Sequence, residues 1–295
     1  MEETVITGMR RSLLYVPGDS PKMLAKAREC PADLMLYNLE DGVAPAAKDR
    51  ARQNVVDVLK SADPDAHEVI VRINNLASET GLEDLAAVVP CRPHGICIPK
   101  VEEPDEIDHA DAAIRELETR CGLAPGVTRL HAMIETAGGV LNAGKIARAS
   151  ARMTSLIFGS ADYSAQVRCR PSANRMEMML ALQWIVTSAR AAGIASIDAP
   201  CFDLENTELL RSESAQSRNI GFDGKSALHP RQLEIINTVF DVTEEEALWA
   251  ERVIAELDAA EKKGRSLSTI NGGLVDDPHR ISAERILRRW RQLRG

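Results

Sequence analysis

Eight short apolar runs punctuate the chain: Leu13–Val16, Leu34–Leu39, Val69–Ile73, Ile96–Ile98, Leu130–Ile134, Leu156–Phe158, Ile194–Ile197 and Ser226–Leu228. At or just past their ends stand polar or turn-forming residues: Pro17-Gly18, Glu40-Asp41, Arg72-Asn74, Lys100, Glu135, Asp162, Asp198 and His229. A stretch with helical periodicity follows each run. The runs carry few alternating polar residues, as expected of parallel strands covered on both faces. Crossover helices between consecutive strands force parallel pairing. The pattern predicts an α/β fold of the (β/α)8 TIM-barrel type, with its chemistry at the C-terminal ends of the strands. A doubly wound open sheet is the alternative. It would normally carry a glycine-rich dinucleotide loop after its first strand, whereas this chain has Pro17-Gly18-Asp19-Ser20.

The predicted helices are Ser20–Cys30, Ala46–Lys60, Glu79–Val89, Glu102–Arg120, Gly139–Ala149, Ser172–Ala192, Leu204–Ser217 and Pro230–Val239. Ser20-Pro21 reads as an N-cap followed by proline in the first helical position. After about residue 240 the pattern changes, so the expected division is a barrel over 1–240 and a C-terminal helical lid segment over 241–295. Thr243 and Glu246 form a capping box for a helix running to about Lys263. Arg265–Gly273 reads as a linker, and Arg280–Arg294 as a final basic helix.

Composition narrows the function classes. The 295 residues suit one barrel with an appendage, and a hydrophobic content of 44% with 3% aromatics implies an aliphatic core. A net charge of −8 disfavours a nucleic-acid partner. No apolar run reaches the roughly 18 residues of a membrane helix, and Met1–Arg11 lacks an apolar signal region. Six scattered cysteines with no C-x-x-C pair read as reduced thiols in a cytoplasm, and the missing ligand pairs argue against zinc.

Glu135 and Asp162 end the fifth and sixth strands, which are neighbours in a barrel. Two carboxylates there suit one hard divalent ion, since magnesium usually takes one or two protein carboxylates. Equally, each could cap the helix that follows it. Arg72, ending the third strand, could clamp a substrate carboxylate with two parallel hydrogen bonds or pair with Glu40 or Asp41. Glu40 and Asp41 could themselves orient metal-bound waters. His229 could act as a base, although a structural hydrogen bond is the favoured reading. Lys22 and Lys26 lie one helical turn apart and could bind phosphates or form a solvated face. Asp276 reads as an N-cap before the final helix.

The strings RRSLLYVPGDSPKM, YNLEDGVAPAAKDRAR, VRINN, ICIPKVEEPDEI, MIETAGGVLN, FGSADYSA, GFDGKSALHPRQ and NGGLVDDP occur in order from about residue 10 to residue 290. The ordered set resembles the CitE branch of the HpcH/HpaI aldolase superfamily, which includes the citrate lyase beta subunit, malyl-CoA lyases and citramalyl-CoA lyases. The resemblance implies Mg²⁺ held by Glu135 and Asp162, and Arg72 as a substrate ligand. Tyr15, Lys22, Lys26 and the Leu228-His229 segment match positions that contact a CoA thioester. Asp276 matches the catalytic aspartate of a lid that serves a neighbouring subunit in a homotrimer or hexamer. The chain departs from the family pattern at Asn38, where aspartate is usual, at Ala161, where glutamate often stands, and at Leu274-Val275 in place of Met-Ile.

The implied activity is reversible cleavage of a 3-hydroxyacyl-CoA to acetyl-CoA and a 2-oxo acid. Alternatives are a citrate lyase beta subunit acting on a carrier-bound citryl thioester, a malyl-CoA thioesterase, an aldolase without CoA, and a non-catalytic CoA-binding homologue.

Overall fold

The computed structural model describes residues 9–61 and 67–294. The chain divides into two compact units, Met1–Phe240 and Asp241–Gly295. In the first, eight parallel strands close in sequence order: β1 (Ser12–Pro17), β2 (Leu34–Asn38), β3 (Glu68–Arg72), β4 (Gly95–Ile98), β5 (Arg129–Ile134), β6 (Met153–Phe158), β7 (Ala195–Asp198) and β8 (Gly224–Ala227). β8 returns to β1 through Leu13↔Ser226 and Leu14↔Ala227. The TIM barrel expected from the apolar runs is the observed fold.

Strand alternation sorts the apolar side chains into two cores. Leu13, Leu34, Leu36, Ile70, Cys97, Met133, Ile157 and Ile197 fill the barrel, with Tyr15 packed against them. Their strand neighbours, such as Leu14, Met35, Val71, Ala132 and Phe158, belong to the larger core that includes the buried residues of the surrounding helices. Continuing the inward face toward the C-terminal ends leads from Leu36 to Asn38, from Ile70 to Arg72 and from Met133 to Glu135.

The helices of this unit start where their caps demand. Ser20, Ser78, Thr136 and Asn206 accept a backbone N–H at the heads of α1 (Pro21–Ala27), α3 (Glu79–Val88), α5 (Ala137–Ile146) and α8 (Thr207–Ile220). α2 spans Lys48–Ser61. Before α4 (Pro104–Arg120), Glu103 and Glu106 complete a capping box with Pro104 at the first position. α9 (Leu233–Phe240) closes the unit.

Two features differ from the sequence expectation. The helix expected over Ser172–Ala192 begins later, as a 3₁₀ turn at Met176–Met178 leading into α7 (Met179–Ala192). Ser172 instead bonds the Glu177 carboxylate through its N–H (2.9 Å) and its hydroxyl (2.5 Å), folding a local loop. A separate short helix, α6 (Ser160–Val167), follows β6 and ends at left-handed Arg168.

In the second unit, α10 (Glu244–Glu261) starts at the Thr243–Glu246 capping box. The segment expected as a linker holds a hairpin, β9 (Ser268–Ile270) against β10 (Gly273–Val275). Its turn is Asn271-Gly272, both at positive φ (+49° and +82°), a pairing suited to a type I′ turn. α11 (Asp277–Arg294) packs on α10 over a core that includes Val253, Leu257, Val275, Ala283 and Leu287.

Candidate active site

Glu135 stands just past β5 and is 2% exposed. Its Oε1 accepts the Lys100 N–H at 2.9 Å. Gly159, just past β6, makes room for it, because a Cβ there would overlap the Glu135 carboxylate. Burial is the largest influence on this carboxyl, raising its pKa from 4.5. Arg72 opposes the rise, Asp162 and Glu40 add to it, and the result is about 7.

Asp162 lies in the first turn of α6, one turn past the strand end where the sequence placed it, and is half-buried. Its charge helps to raise the Glu135 pKa. No group of three or more metal-ligating side chains occurs among the described residues. A two-carboxylate site is nonetheless the donor number magnesium usually takes, with water and substrate completing its shell. The acidic surroundings agree. Glu40, Asp41, Glu135 and Asp162 gather here around Arg72 and Lys100, with the Lys48 ammonium on the Glu40 carbonyl at 2.8 Å.

Arg72 is 6% exposed, and strand register determines its surroundings. It pairs with Asn38 across β2–β3, and its Nε donates to Asn38 Oδ1 at 2.7 Å. Nη2 donates to the Asp41 carbonyl at 3.2 Å and lies 3.3 Å from Glu40 Oε2. Nη1 meets the Met133 sulfur, a weak acceptor, at 3.3 Å. Tyr15 lies under the guanidinium, 5.6 Å from ring centroid to Cζ. Burial works against the Arg72 charge, but Tyr15, Glu40 and Glu135 outweigh it and hold the pKa above its ordinary value. Of the two sequence readings of this arginine, the pairing with Glu40 is the one made here, and Nη1 has the soft Met133 sulfur as its partner. Burial likewise raises the Tyr15 phenol, with Arg72 opposing it.

Asn38 shapes the loop beyond β2. Its Oδ1 also accepts the Glu40 N–H at 3.0 Å, and its Nδ2 donates to the Asp41 carbonyl. An amide can donate and accept here, whereas the aspartate expected from the family pattern could only accept. Lys100, singled out in sequence only as a strand end, is a central member of the site. Its Nζ reaches Glu40 Oε1 at 2.9 Å and Asp41 Oδ2 at 2.6 Å. Burial is the largest single influence on Asp41 and works against its charge, but the Lys100 and Glu40 hydrogen bonds together with the Lys100 and Arg72 charges outweigh it and hold the Asp41 pKa below its usual value.

The remaining sequence candidates lie on other elements. Lys22 and Lys26 are exposed on α1. The His229 ring accepts the Arg231 N–H at 3.2 Å and caps a 3₁₀ turn over Pro230–Gln232, the structural use favoured from sequence. The Leu228 N–H donates to Gln232 Oε1 at 2.8 Å. Asp198, although a strand end, turns away from this constellation into a buried network. Arg175 grips it with two bonds of 2.7 Å and Lys225 binds it at 2.9 Å. In the C-terminal unit, Asp276 precedes α11, and its Oδ1 lies 2.6 Å from His279 Nδ1.

A family model described as HpcH/HpaI aldolase/citrate lyase matches residues 11–230. Citrate lyase subunit beta of Leuconostoc mesenteroides subsp. cremoris is 36% identical over 280 residues, covering 95% of this chain and 93% of the relative. A (3S)-malyl-CoA thioesterase of Cereibacter sphaeroides is 35% identical over 277 residues, covering 94% and 93%. The crystal structure of CitE from Mycobacterium tuberculosis in complex with magnesium, acetoacetate and coenzyme A aligns with a TM-score of 0.78 at 29% identity, covering 95% of this chain and 97% of that one. The barrel, the ordered site residues and the family match over more than half the chain agree: this protein belongs to the HpcH/HpaI aldolase/citrate lyase family.

Proposed function

We propose that the protein is a magnesium-dependent carbon–carbon lyase that cleaves a 3-hydroxyacyl-CoA of the malyl, citramalyl or citryl type to acetyl-CoA and a 2-oxo acid. Glu135 carries this reading: a buried carboxyl raised to about 7, beside a second carboxylate and a buried arginine. Such a group is costly as an anion until a cation joins it. The related CitE structure with magnesium, acetoacetate and coenzyme A supports the same assignment.

Glu135 and Asp162 would hold the ion, which when bound supplies Lewis-acid polarisation of the substrate's oxo or hydroxyl oxygen. Arg72 binds the acid's carboxylate through Nη1, its other nitrogens being held by Asn38, Glu40 and the Asp41 carbonyl. That anchoring leaves little guanidinium entropy to lose on binding. Tyr15 flanks the acid site. Lys22 and Lys26, with the Leu228-His229 segment, take the CoA portion. Asp276 exchanges the proton at the α-carbon of the thioester. It does so as part of a lid serving a neighbouring copy in a homotrimer or hexamer.

The thioesterase relative, almost as similar as the citrate lyase subunit, favours hydrolysis of malyl-CoA as a second reading. Mass spectrometry of incubations with magnesium, acetyl-CoA or propionyl-CoA, and glyoxylate, pyruvate or oxaloacetate tests the lyase. A new thioester that disappears under chelation supports it and names the acid. Release of free malate from malyl-CoA supports the thioesterase. Turnover confined to an acyl-carrier thioester identifies a citrate lyase beta subunit, and no product with any of them refutes the lyase.

A further inference from the structure

Lys100 adopts a left-handed backbone conformation, φ +51°, which residues other than glycine adopt rarely. Such conformations cluster where function demands them. The N–H at this position is given to Glu135 Oε1 at 2.9 Å, and the ammonium lies 2.9 Å from Glu40 Oε1 and 2.6 Å from Asp41 Oδ2. One residue therefore stands between the Glu135 carboxylate and the Glu40–Asp41 pair.

That position answers a problem created by the acid content of the site. Magnesium has six oxygen positions and usually takes one or two from protein carboxylates, leaving the rest for water and substrate. Direct ligation by all of Glu40, Asp41, Glu135 and Asp162 would leave few positions for a 2-oxo acid. Arg72 and the Asp41 N–H occupy Glu40 Oε2, while Lys100 occupies Glu40 Oε1 and Asp41 Oδ2.

We propose that Lys100 is a positioning residue that holds Glu40 and Asp41 out of direct contact with the divalent ion, so that the ion keeps open positions for substrate; this rests on the metal reading given above. Losing the ammonium then has two opposed effects. The ion gains negative charge and ligands, and binds more tightly. The substrate loses its coordination positions, and turnover falls. A lysine that served only to stabilise the loop would weaken metal binding and turnover together.

The test uses the chelator-treated full chain, with Mn²⁺ as the probe. Free-ion electron paramagnetic resonance gives its affinity, and water-proton relaxation reports the exchangeable waters on the bound ion. Lys100→Met retains the backbone N–H and removes the ammonium, while Lys100→Arg retains a cation. The Met variant should bind Mn²⁺ about tenfold more tightly, the size of one unit charge near a divalent ion in a water-like medium. It should carry fewer exchangeable waters and turn over more slowly, and the Arg variant should recover the wild-type water signal. Unchanged or weaker binding by the Met variant, with an unchanged water signal, overturns the role of Lys100 alone. A wild-type chain that binds no Mn²⁺ overturns the metal reading and this inference with it.

Discussion

Replacing Glu135 by Gln should stabilise the metal-free protein at neutral and alkaline pH. The native carboxyl titrates at about 7 instead of 4.5, so the folded chain keeps a proton that the unfolded chain releases. The sign follows from proton linkage. Below pH 4.5 both states are protonated and the residue costs nothing. Between 4.5 and about 7 only the unfolded state ionises, so stability falls as pH rises, and above 7 the loss is complete. The interval corresponds to about 3 kcal/mol. Gln keeps an oxygen for the Lys100 N–H and removes the titration. In chelator at pH 8 the variant should therefore melt about 5–10 °C higher than wild type, the two curves converging near pH 4.5. Magnesium should raise the wild-type transition by an amount that grows with the logarithm of its concentration, and leave the variant unmoved. Thermal melts from pH 4.5 to 8.5, with chelator or magnesium, read both effects. A Gln variant less stable than wild type at pH 8 in chelator, or equally stabilised by magnesium, would refute the reasoning.

Asp276→Asn should leave the circular dichroism and magnesium affinity unchanged while abolishing solvent-deuterium exchange into acetyl-CoA; retained exchange removes this residue from catalysis. Arg72→Lys removes the Nε bond to Asn38 and the Nη2 pairing with Glu40 that fix the guanidinium, and with it the group that meets the acid's carboxylate, a cost of about 1–3 kcal/mol in acid binding, so KM for the 2-oxo acid should rise roughly tenfold to a hundredfold. An unchanged KM contradicts carboxylate binding by Arg72. Gly159→Ala places a methyl group on the Glu135 carboxylate, and calorimetry should show weakened magnesium binding. Lys225→Met leaves Asp198 and Glu213 without their buried ammonium and should cost about 3 kcal/mol by denaturant unfolding, with magnesium affinity intact.

The barrel was legible in the chain because its signal is local and repeated. Every expected apolar run overlaps an observed strand, and parallel pairing follows from the crossover helices between them. The ends of those runs also pointed to Glu135 and Arg72, since a residue at or one step beyond the end of a barrel strand is carried to the C-terminal rim. The hairpin at Asn271-Gly272 lies in a segment read as a linker, although that dipeptide favours its positive φ values. Less was readable where side chains choose partners distant in sequence. Lys100 showed in sequence only as a strand-end residue with no role, and its link to Glu40 and Asp41 spans about 60 residues. Asp198 ends a strand just as Asp162 follows one. Its side chain nonetheless falls on the outer face, where Arg175 and Lys225 bury it. Hydrophobic periodicity is a property of neighbours along the chain and so survives in one dimension. The pKa of Glu135, the orientation of Arg72 and the division of acids around the proposed metal position depend on desolvation and on charges brought together by closure of the barrel, and these exist only once it has folded.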